Sequence, residues 1–420
     1  MNSDEAMNDS QLTDQSTRVQ PDGGEPALGM PREPVSGDEF TAAFNEPLSH
    51  TLDLNTWHPG EDLVELYERL RKEVAEAVEQ ETRIQQEIRK QIFPLLSSRK
   101  DAPTEAGVFR TTPERLQDIH SKILFNGALE ACDGIVVTHD TLPVTITQIG
   151  VCLVSYRGDQ GSWMHRLFRR DLRVGGDSPI DETLRLLDRR RERAAVAEPS
   201  SRDRLTSMAR RGIMAYAERA VLLDRSNAIW RMGHGSPTPY ELVTGSGMVD
   251  LVRASLILMR RLVLEHQRFV FVPSAPTARE LLTIGNALEP LEYAIVDTNE
   301  DNLLKIASGG YRGETWGPIG KEVRKFVADC GQKIAVGMFR ASRLAPCQMF
   351  YTHVDHVHEG ALIAMADSVL QEHRGFPMLI DLADGLCRST FGADTFAASA
   401  QLAYCEAGVP FKYMAERKTR

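Results

Sequence analysis

The stretch LEACDGIVVTHDTLPVTITQIGVCLVSYRG, residues 129–158, decides the fold of this chain. Its β-branched and aromatic residues come in runs separated by turn-like residues, and SWMHRLFRRDLRV at 162–174 continues the pattern. We therefore expect three successive strands in an antiparallel meander. Asp133 lies at the start of the first strand, where a lone carboxylate within an apolar run is costly to bury. A position of that kind makes Asp133 the first candidate site residue.

The rest of the chain alternates between helical and strand patterns. Residues 178–265 are predicted to be mostly helical, and a helical segment at 277–288 separates two apolar strands, RFVFVPS at 268–274 and EYAIVD at 292–297. This alternation predicts a βαβ unit. A strand pair and two closing helices are expected in KIAVGMFRAS, CQMFYTHVDH, EGALIAMADSVLQEH and RGFPMLIDLADGLCRST. Together these elements have the layout of an RNase H-like α/β domain, a mixed sheet flanked by helices whose first strand carries a metal-binding Asp.

The segment before this domain divides into two parts. Residues 1–55 are rich in Ser, Asp, Glu, Pro and Gly without periodicity, which predicts a disordered acidic tail. Residues 60–97 predict a long helix with one apolar stripe, formed by Leu63, Leu66, Leu70, Val74, Ala77, Ile84, Ile88 and Ile92. The stripe suits a coiled coil or an arm packed on a neighbour, and equally a helix folded back on its own domain. The RNase H-like domain then covers 105–420, with a helical insertion around 178–265.

The net charge of −10 is concentrated at one end of the chain. Residues 1–60 hold eleven acidic and two basic residues, a balance of −9, so the remainder is close to neutral with a basic middle. An acidic tail does not exclude a nucleic-acid partner. The six cysteines lack CxxC or zinc spacing, which predicts reduced, buried thiols in a cytoplasmic protein. No apolar run approaches the ~20 residues of a membrane span, and the polar N-terminus does not predict a secretory signal.

The candidate catalytic and metal-binding residues are acids that lie far apart in the sequence. Metal-dependent phosphodiester hydrolysis needs carboxylates gathered from several elements, because Mg²⁺ and Mn²⁺ are hard ions that prefer oxygen ligands. Asp133 is the best candidate, with a turn or cap acid as the alternative. Glu241, in SPTPYELVTGSGMVDLV, either projects into a cleft or is a first-turn acid favoured by the helix dipole. Asp381 and Asp384 lie three residues apart on an apolar helix, where two like charges need a cation or solvent.

The segment FYTHVDHVHE at 350–359 is the best match to a transition-metal site. On a strand, His353 and Asp355 share one face and His356 and His358 the other, so all four cannot bind one ion unless the strand ends near Asp355. Without cysteines or a helical HExxH, the segment does not indicate a zinc hydrolase. The alternatives are a polar strand end that leads into a helix, or a histidine that contacts phosphate or steadies an acid.

Arginines are concentrated in the basic middle, at Arg166, Arg169, Arg170, Arg173, Arg189, Arg190, Arg191, Arg193, Arg210 and Arg211. They would line a phosphate-contacting groove, although acids are interleaved and charge runs are commonly solvated faces. Arg166, Arg169 and Arg170, with His353, are the candidate DNA-binding residues. The chain has no P-loop, GxGxxG or GxSxG motif, so any nucleotide-driven work must come from a partner.

Three motifs resemble those of the NurA-type 5′–3′ nucleases, a family with an RNase H-like fold. ACDGI at 131–135 is similar to the family's first-strand Asp-Gly motif, YELVTGSG at 240–247 to its second motif, and GFPMLIDLAD at 375–384 to its C-terminal Gly-Tyr-Pro segment. The long N-terminal helix is also similar. The resemblance implies that Asp133 is the first metal ligand and that Glu241 is the family's glutamate.

Two positions depart from the family pattern. The family's third acid belongs to an Asp-Gly-Ser after its own strand, and the corresponding place here is FVFVPSAP, with Pro273 and Ser274 and no carboxylate. Asp297 or a later acid would be the substitute. The family's late histidine position holds Asp384. Either the metal site is rebuilt with Asp384, or catalysis is lost.

The resemblance implies a metal-dependent nuclease that hydrolyses phosphodiester bonds at DNA ends with Mn²⁺ or Mg²⁺. Asp133, Glu241 and Asp384 would hold the metal, with Asp381 and Asp355 as further acids. Family members act as dimers and dock onto a hexameric HerA-type DNA-translocating ATPase, so DNA, that ATPase and a second copy are the expected partners, in DNA end processing or anti-phage defence. The alternatives are a catalytically inactive subunit that binds the ATPase or DNA, and a metallohydrolase built on the histidine cluster.

Overall fold

The computed structural model describes residues 36–410 except 58–62, 101, 141–144, 170–206, 277, 310 and 312. The strands of these residues are β1 (Gly107–Arg110), β2 (Leu129–Asp140), β3 (Thr145–Ser155), β4 (Gly158–Arg169), β5 (Trp230–His234), β6 (Phe269–Val272), β7 (Glu292–Thr298), β8 (Ile334–Arg340) and β9 (Gln348–His353). β2, β3 and β4 pair antiparallel in sequence order, which confirms the predicted meander. The predicted pairing of β8 with β9 is confirmed as well.

The described strands form one nine-stranded mixed sheet in the order β1-β7-β8-β9-β6-β5-β2-β3-β4. β2, β5 and β6 run parallel to one another, whereas the other neighbouring pairs are antiparallel. The order β4-β3-β2-β5-β6 is the RNase H-like layout that the sequence predicts. The chain leaves β2 toward β3 and returns to β5 on the other side of β2, so a topological switch point lies between β2 and β5. Ligands of open α/β sheets bind at such points, outside the carboxyl ends of the strands.

Helices cover both faces of the sheet. The α-helices of the described residues are α1 (Gly37–Phe44), α2 (Leu48–Leu52), α3 (Leu63–Gln91), α4 (Pro113–Ile119), α5 (Ser207–Asp224), α6 (Tyr240–Val243), α7 (Val249–Arg260), α8 (Arg279–Asn286), α9 (Glu300–Ser308), α10 (Gly313–Cys330), α11 (Val357–Ser368), α12 (Met378–Phe391) and α13 (Ala393–Glu406), of which α1 and α2 have no buried residue. α5, α7 and α10 share one apolar core with the sheet, and α4, α11 and α12 share the core on the other face. The two predicted closing helices are therefore α11 and α12.

One strand was not predicted, and one predicted unit is wrong. β5 lies within the 178–265 segment that was expected to be mostly helical, because Arg and Gly residues obscure the pattern of a strand whose side chains are nevertheless mostly buried. β6 and β7 do not form a βαβ unit, since β9 and β8 lie between them and the two run in opposite directions. The parallel neighbours are β5 and β6, which the helical segment containing α6 and α7 connects.

The N-terminal segment contains helices that only partly follow the prediction. α1 begins with a capping box of Ser36 and Glu39, inside the segment expected to be disordered. α3 is the predicted long helix, and Leu70 and Val74 of its apolar stripe are 58% and 51% exposed. The stripe is thus on the surface rather than against the domain. Near its end, Arg89 donates to both carboxylate oxygens of the buried Glu292 on β7, at 2.7 and 3.2 Å, and so attaches the helix to the sheet.

Two further expectations concern cysteines and membranes. All six cysteines are free, five of them buried and Cys405 exposed, which fits the predicted unpaired thiols. Among the helices of the described residues, none combines the length and the apolar character that a bilayer span demands.

Candidate active site at the ends of two parallel strands

The site is centred on a carboxylate and an imidazole at the switch point of the sheet. β2 and β5 pair Cys132 with Gly233, so Asp133 and His234 follow side by side on adjacent parallel strands. Asp133 is buried, and its Oδ1 lies 3.7 Å from Nδ1 of His234. The hydroxyl of Ser274, just beyond β6, lies 2.9 Å from Nε2 of the same ring. The ring is therefore held from both sides while its side chain remains 37% exposed.

Surrounding acids set the charge of this imidazole. Burial opposes protonation of His234, but the neighbouring Asp133 outweighs it, and the charges of Glu218 and Asp384 add to the effect. Together they raise the pKa of His234 above its ordinary value. Asp133 therefore favours the protonated ring, and an imidazole can both accept and donate a proton, which is the property that general acid–base catalysis requires.

Glu218 is a buried carboxylate of α5 that lies beneath β2. A Cβ on Gly134 would come within 2.7 Å of its Oε1, so the glycine next to Asp133 provides the space that this carboxylate occupies. Burial raises the pKa of Glu218 to about 7, even though the adjacent Arg219 acts to lower it. The charges of Glu218 and His234 act on each other, so the protonation of the two groups is electrostatically linked.

Arg219 is almost fully buried, with 2% of its surface exposed. Its Nη1 donates to Glu218 Oε2 and to the Ala215 carbonyl, each at 2.9 Å. Its Nε donates to the Pro237 carbonyl at 3.3 Å, and its Nη2 donates to the Ser236 carbonyl. The guanidinium thus connects α5 to the turn that follows β5.

The helix α12 brings Asp384 to the same neighbourhood. The thiol of Cys387 donates to the Asp133 carbonyl at 3.1 Å, which places α12 beside β2. Asp384 accepts from Arg388 at 2.8 Å, and this bond, with the charges of Asp384 and Asp133, raises the pKa of Arg388. The two acids of α12 were predicted to need a cation or solvent, and each has its own arginine partner. Asp384 pairs with Arg388, and Asp381 pairs with Arg374 at 2.7 Å. Asp384 therefore lies near Asp133, whereas Asp381 is engaged elsewhere.

Glu241 occupies a different place from the one predicted. It is buried in the single turn α6, with Nε of Arg211 3.7 Å from its carboxylate. Its charge acts on Arg219. Glu241 is thus paired with Arg211, while Glu218 lies under Gly134, the residue that follows Asp133.

The remaining predicted residues lie away from this centre or outside the described residues. His353 is 1% exposed and ends β9 near the start of β6, the end opposite to Ser274, so it has no surface for a DNA strand. Arg166 donates to Gln148 at 2.7 Å and covers the ring of Phe396. The side chain of Arg169, and the whole of Arg170, Arg173, Arg189, Arg190, Arg191 and Arg193, fall outside the described residues.

Three members of the histidine cluster, Asp355, His356 and His358, border a separate cleft of about 1030 Å³ together with Asp297. His358 is engaged by the hydroxyl of Tyr293 at 2.9 Å, and Asp297 pairs with Arg99 at 3.2 Å. Asp297 ends β7, four strands away from β5, so it does not supply an acid to the Asp133 centre.

The donor groups do not fit a divalent metal as they are arranged here. In the part of the chain that the structure describes, no three or more His, Cys, Asp or Glu side chains are placed to hold one ion. Glu218, Glu241 and Asp384 each have an arginine partner, at 2.9, 3.7 and 2.8 Å. A carboxylate paired with a guanidinium must exchange that partner before it can ligate a cation. The predicted cage of Asp133, Glu241, Asp384 and Asp355 is therefore not assembled in these side-chain positions.

Two residues of the site, Glu218 and His234, were missed by the sequence reasoning. His234 is the last residue of β5, and recognition of that short strand would have pointed to this position.

Comparisons with known proteins give structural likenesses only. No family model matches the sequence, and no curated protein matches it. The NurA nuclease from Sulfolobus solfataricus is 9% identical, with a TM-score of 0.40 over 81% of this chain and 98% of that one. A structure of NurA with manganese is 8% identical, with a TM-score of 0.33 over 68% and 94%. A variant of Ciona intestinalis endonuclease V, in complex with an inosine-containing DNA 23mer, is 10% identical, with a TM-score of 0.24 over 66% and 98%.

Proposed function

We propose that this chain is a DNA nuclease of RNase H-like fold that hydrolyses phosphodiester bonds, with Asp133 and His234 at its centre. The observation that carries the proposal is the pairing of this carboxylate and imidazole, 3.7 Å apart, at the switch point where an open α/β sheet binds its ligand. Glu218 lies buried on the neighbouring helix α5, and burial raises its pKa to about 7. Buried groups with shifted pKa values at such a position are typical of catalytic centres.

The chain's own residues would carry the proton transfers. Asp133 holds the His234 ring and stabilises its protonated form. The imidazole takes a proton from the water whose oxygen attacks phosphorus, and returns it to the oxygen that leaves as the P–O bond breaks. Arg388, beside Asp384 and partly exposed, would bind a phosphate oxygen of the strand. Glu218 exchanges charge with pH and so adjusts the protonation of His234.

A cleavage assay on linear DNA tests this proposal. We expect the wild-type chain to degrade it, and Asp133→Asn and His234→Gln each to lose about 100-fold or more, since a positioned acid–base group contributes ~10²–10⁴-fold. Asp250→Asn is the matched control, because Asp250 is an exposed acid in the first turn of α7. Reactions with Mn²⁺, Mg²⁺ and EDTA show which condition supports the wild type. Equal rates for the wild type and Asp133→Asn would remove the assignment.

A second candidate function is a non-catalytic subunit that binds an ATPase or DNA. The observation in its favour is the arginine partner of Glu218, Glu241 and Asp384, which leaves these acids neutralised. This candidate predicts no cleavage with any divalent metal, but tight binding to linear DNA or to a hexameric HerA-type ATPase. Gel-shift and size-exclusion experiments on the same preparation distinguish it from the nuclease.

The proposed partners follow from the family resemblance. We propose that a homodimer docks onto a HerA-type ATPase in end processing or defence, and the exposed stripe of α3 is a surface suited to either contact. Light scattering of the wild type and of Leu70→Glu, a charge on that stripe, tests it. A monomer in the wild type, or assembly unaffected by Leu70→Glu, would contradict a role for the stripe.

A further inference from the structure

Arg219 contacts several groups besides the neighbouring carboxylate of Glu218. Its three nitrogens reach four acceptors: one carboxylate oxygen, one carbonyl of its own helix, and the two consecutive carbonyls of Ser236 and Pro237. The carbon of the guanidinium also lies 5.2 Å from the centre of the Phe271 ring on β6. A single buried side chain therefore contacts α5, β6 and the turn after β5.

The turn that Arg219 holds carries the imidazole. His234 ends β5, and Gly235 follows with a φ of +81°, a left-handed conformation that glycine adopts readily. Ser236 and Pro237 come next, so the bonded carbonyls lie two and three residues beyond the ring. The Gly235 amide donates to the Val272 carbonyl at 3.1 Å and Ser274 contacts the ring, so the bonds from Arg219 are those that hold the turn beyond the glycine, while His234 lies 3.7 Å from Asp133.

We propose that Arg219 is a positioning residue of this centre: its guanidinium fixes the turn after β5 against Glu218, and so keeps the His234 imidazole facing Asp133. The consequence for catalysis rests on the proposed nuclease function, whereas the consequence for the imidazole does not. Arg219 touches neither the substrate nor the reacting atoms.

The planar shape of the guanidinium is what the position requires. Arginine presents five donors in a rigid fork, so one side chain can meet a carboxylate and several carbonyls at once. Lysine keeps the positive charge but offers one nitrogen, which cannot reach both Glu218 on α5 and the carbonyls of the turn. Arg219→Lys thus removes the bonds that position the turn while it keeps the positive charge at residue 219.

The test is an NMR titration of His234 in wild type and in Arg219→Lys. The charge is conserved in this variant, and the same comparison in the Glu218→Gln background, where residue 218 carries no charge, isolates the change that reports the position of the imidazole. We expect the pKa of His234 to fall in Arg219→Lys, because the ring moves away from Asp133. If the nuclease function holds, kcat falls by about 10-fold or more with KM nearly unchanged, since small misplacements of a reacting group are costly.

Arg231→Lys is the matched control. Arg231 is also buried and belongs to β5, three residues before His234, where it donates to the Ser226 carbonyl at 3.1 Å. We expect it to lower stability as Arg219→Lys does and to leave the His234 titration unchanged. An unaltered His234 titration in Arg219→Lys would overturn the proposal, even if activity were lost; inactivity of the wild type would contradict only the nuclease.

A measurement on the wild type covers the case in which Arg219→Lys does not fold. A guanidinium held by four acceptors rotates slowly, so nitrogen-detected spectra should resolve separate Nη signals for Arg219. A single averaged Nη signal would show that the fork is not fixed and would overturn the proposal.

Discussion

Gly134→Ala tests whether Glu218 really lies beneath the strand that carries Asp133. The added Cβ would come within 2.7 Å of Glu218 Oε1 and 2.8 Å of Met214 Cγ, both closer than van der Waals contact. Overpacking of this kind costs about 1–3 kcal/mol, and the loss of glycine's freedom in the unfolded chain returns ~0.4–1 kcal/mol. Because methionine adapts readily, the carboxylate is the obstacle that decides the outcome. We expect a net loss of about 1–2 kcal/mol in the free energy of unfolding.

A double-mutant cycle identifies the atom responsible. Glu218→Ala removes the obstructing carboxylate, so Gly134→Ala should cost less in that background, with a coupling of about 1 kcal/mol measured by urea unfolding. Glu218→Ala also removes a partner of Arg219. This loss of stability is the same in the single and the double variant, so it cancels in the cycle. Gly385→Ala, on α12 with nothing within 4 Å of the new Cβ, is the matched control and should stabilise by about 0.5–1 kcal/mol.

The refuting result is additivity. If Gly134→Ala and Glu218→Ala combine within about 0.5 kcal/mol, the two residues are not in contact and the buried acid beneath β2 is misplaced. The His234 titration gives an independent check. Displacement of Glu218 removes a negative neighbour, so the pKa of His234 should fall in Gly134→Ala and stay unchanged in Gly385→Ala.

Three further predictions concern charges elsewhere in the fold. Burial raises the pKa of Asp367 to about 7 from 3.8, so its contribution to stability is present below about pH 4 and is lost as pH rises through 7. Asp367→Asn should remove up to ~4 kcal/mol of that decline in urea unfolding at pH 4–8, and an unchanged slope would contradict it. Arg89→Met leaves Glu292 buried with fewer partners, so we expect a loss of about 1–3 kcal/mol and faster hydrogen exchange at the end of α3; unaltered exchange there would count against the attachment. Asp384→Asn should lower the pKa of His234 in an NMR titration, and by less than Asp133→Asn does. A larger effect of Asp384→Asn would contradict the assignment of Asp133 as the neighbour that acts most strongly on the imidazole.

The sequence by itself determined the elements whose signal is local. The runs of strand-forming residues in 129–169 specified the three-strand meander, 3.6-residue periodicity specified α3, and the runs EGALIAMADSVLQEH and RGFPMLIDLADGLCRST specified α11 and α12. It also singled out Asp133, because an acid inside an apolar strand is exceptional whatever lies beside it. Each of these properties depends on neighbours a few residues away along the chain, so it can be read without knowledge of the fold.

Only the tertiary structure decided which residues join Asp133. His234 ends a strand too short and too polar to be recognised by its pattern, and Glu218 lies on a helix face that resembles any other. Glu241, in contrast, has a suggestive motif but is held by Arg211. Pairing of Cys132 with Gly233 connects positions about a hundred residues apart, and it depends on how the whole sheet buries its two faces. Strand neighbours are chosen by that long-range packing, which no local pattern encodes, so the partners of the carboxylate are fixed only when the sheet is complete.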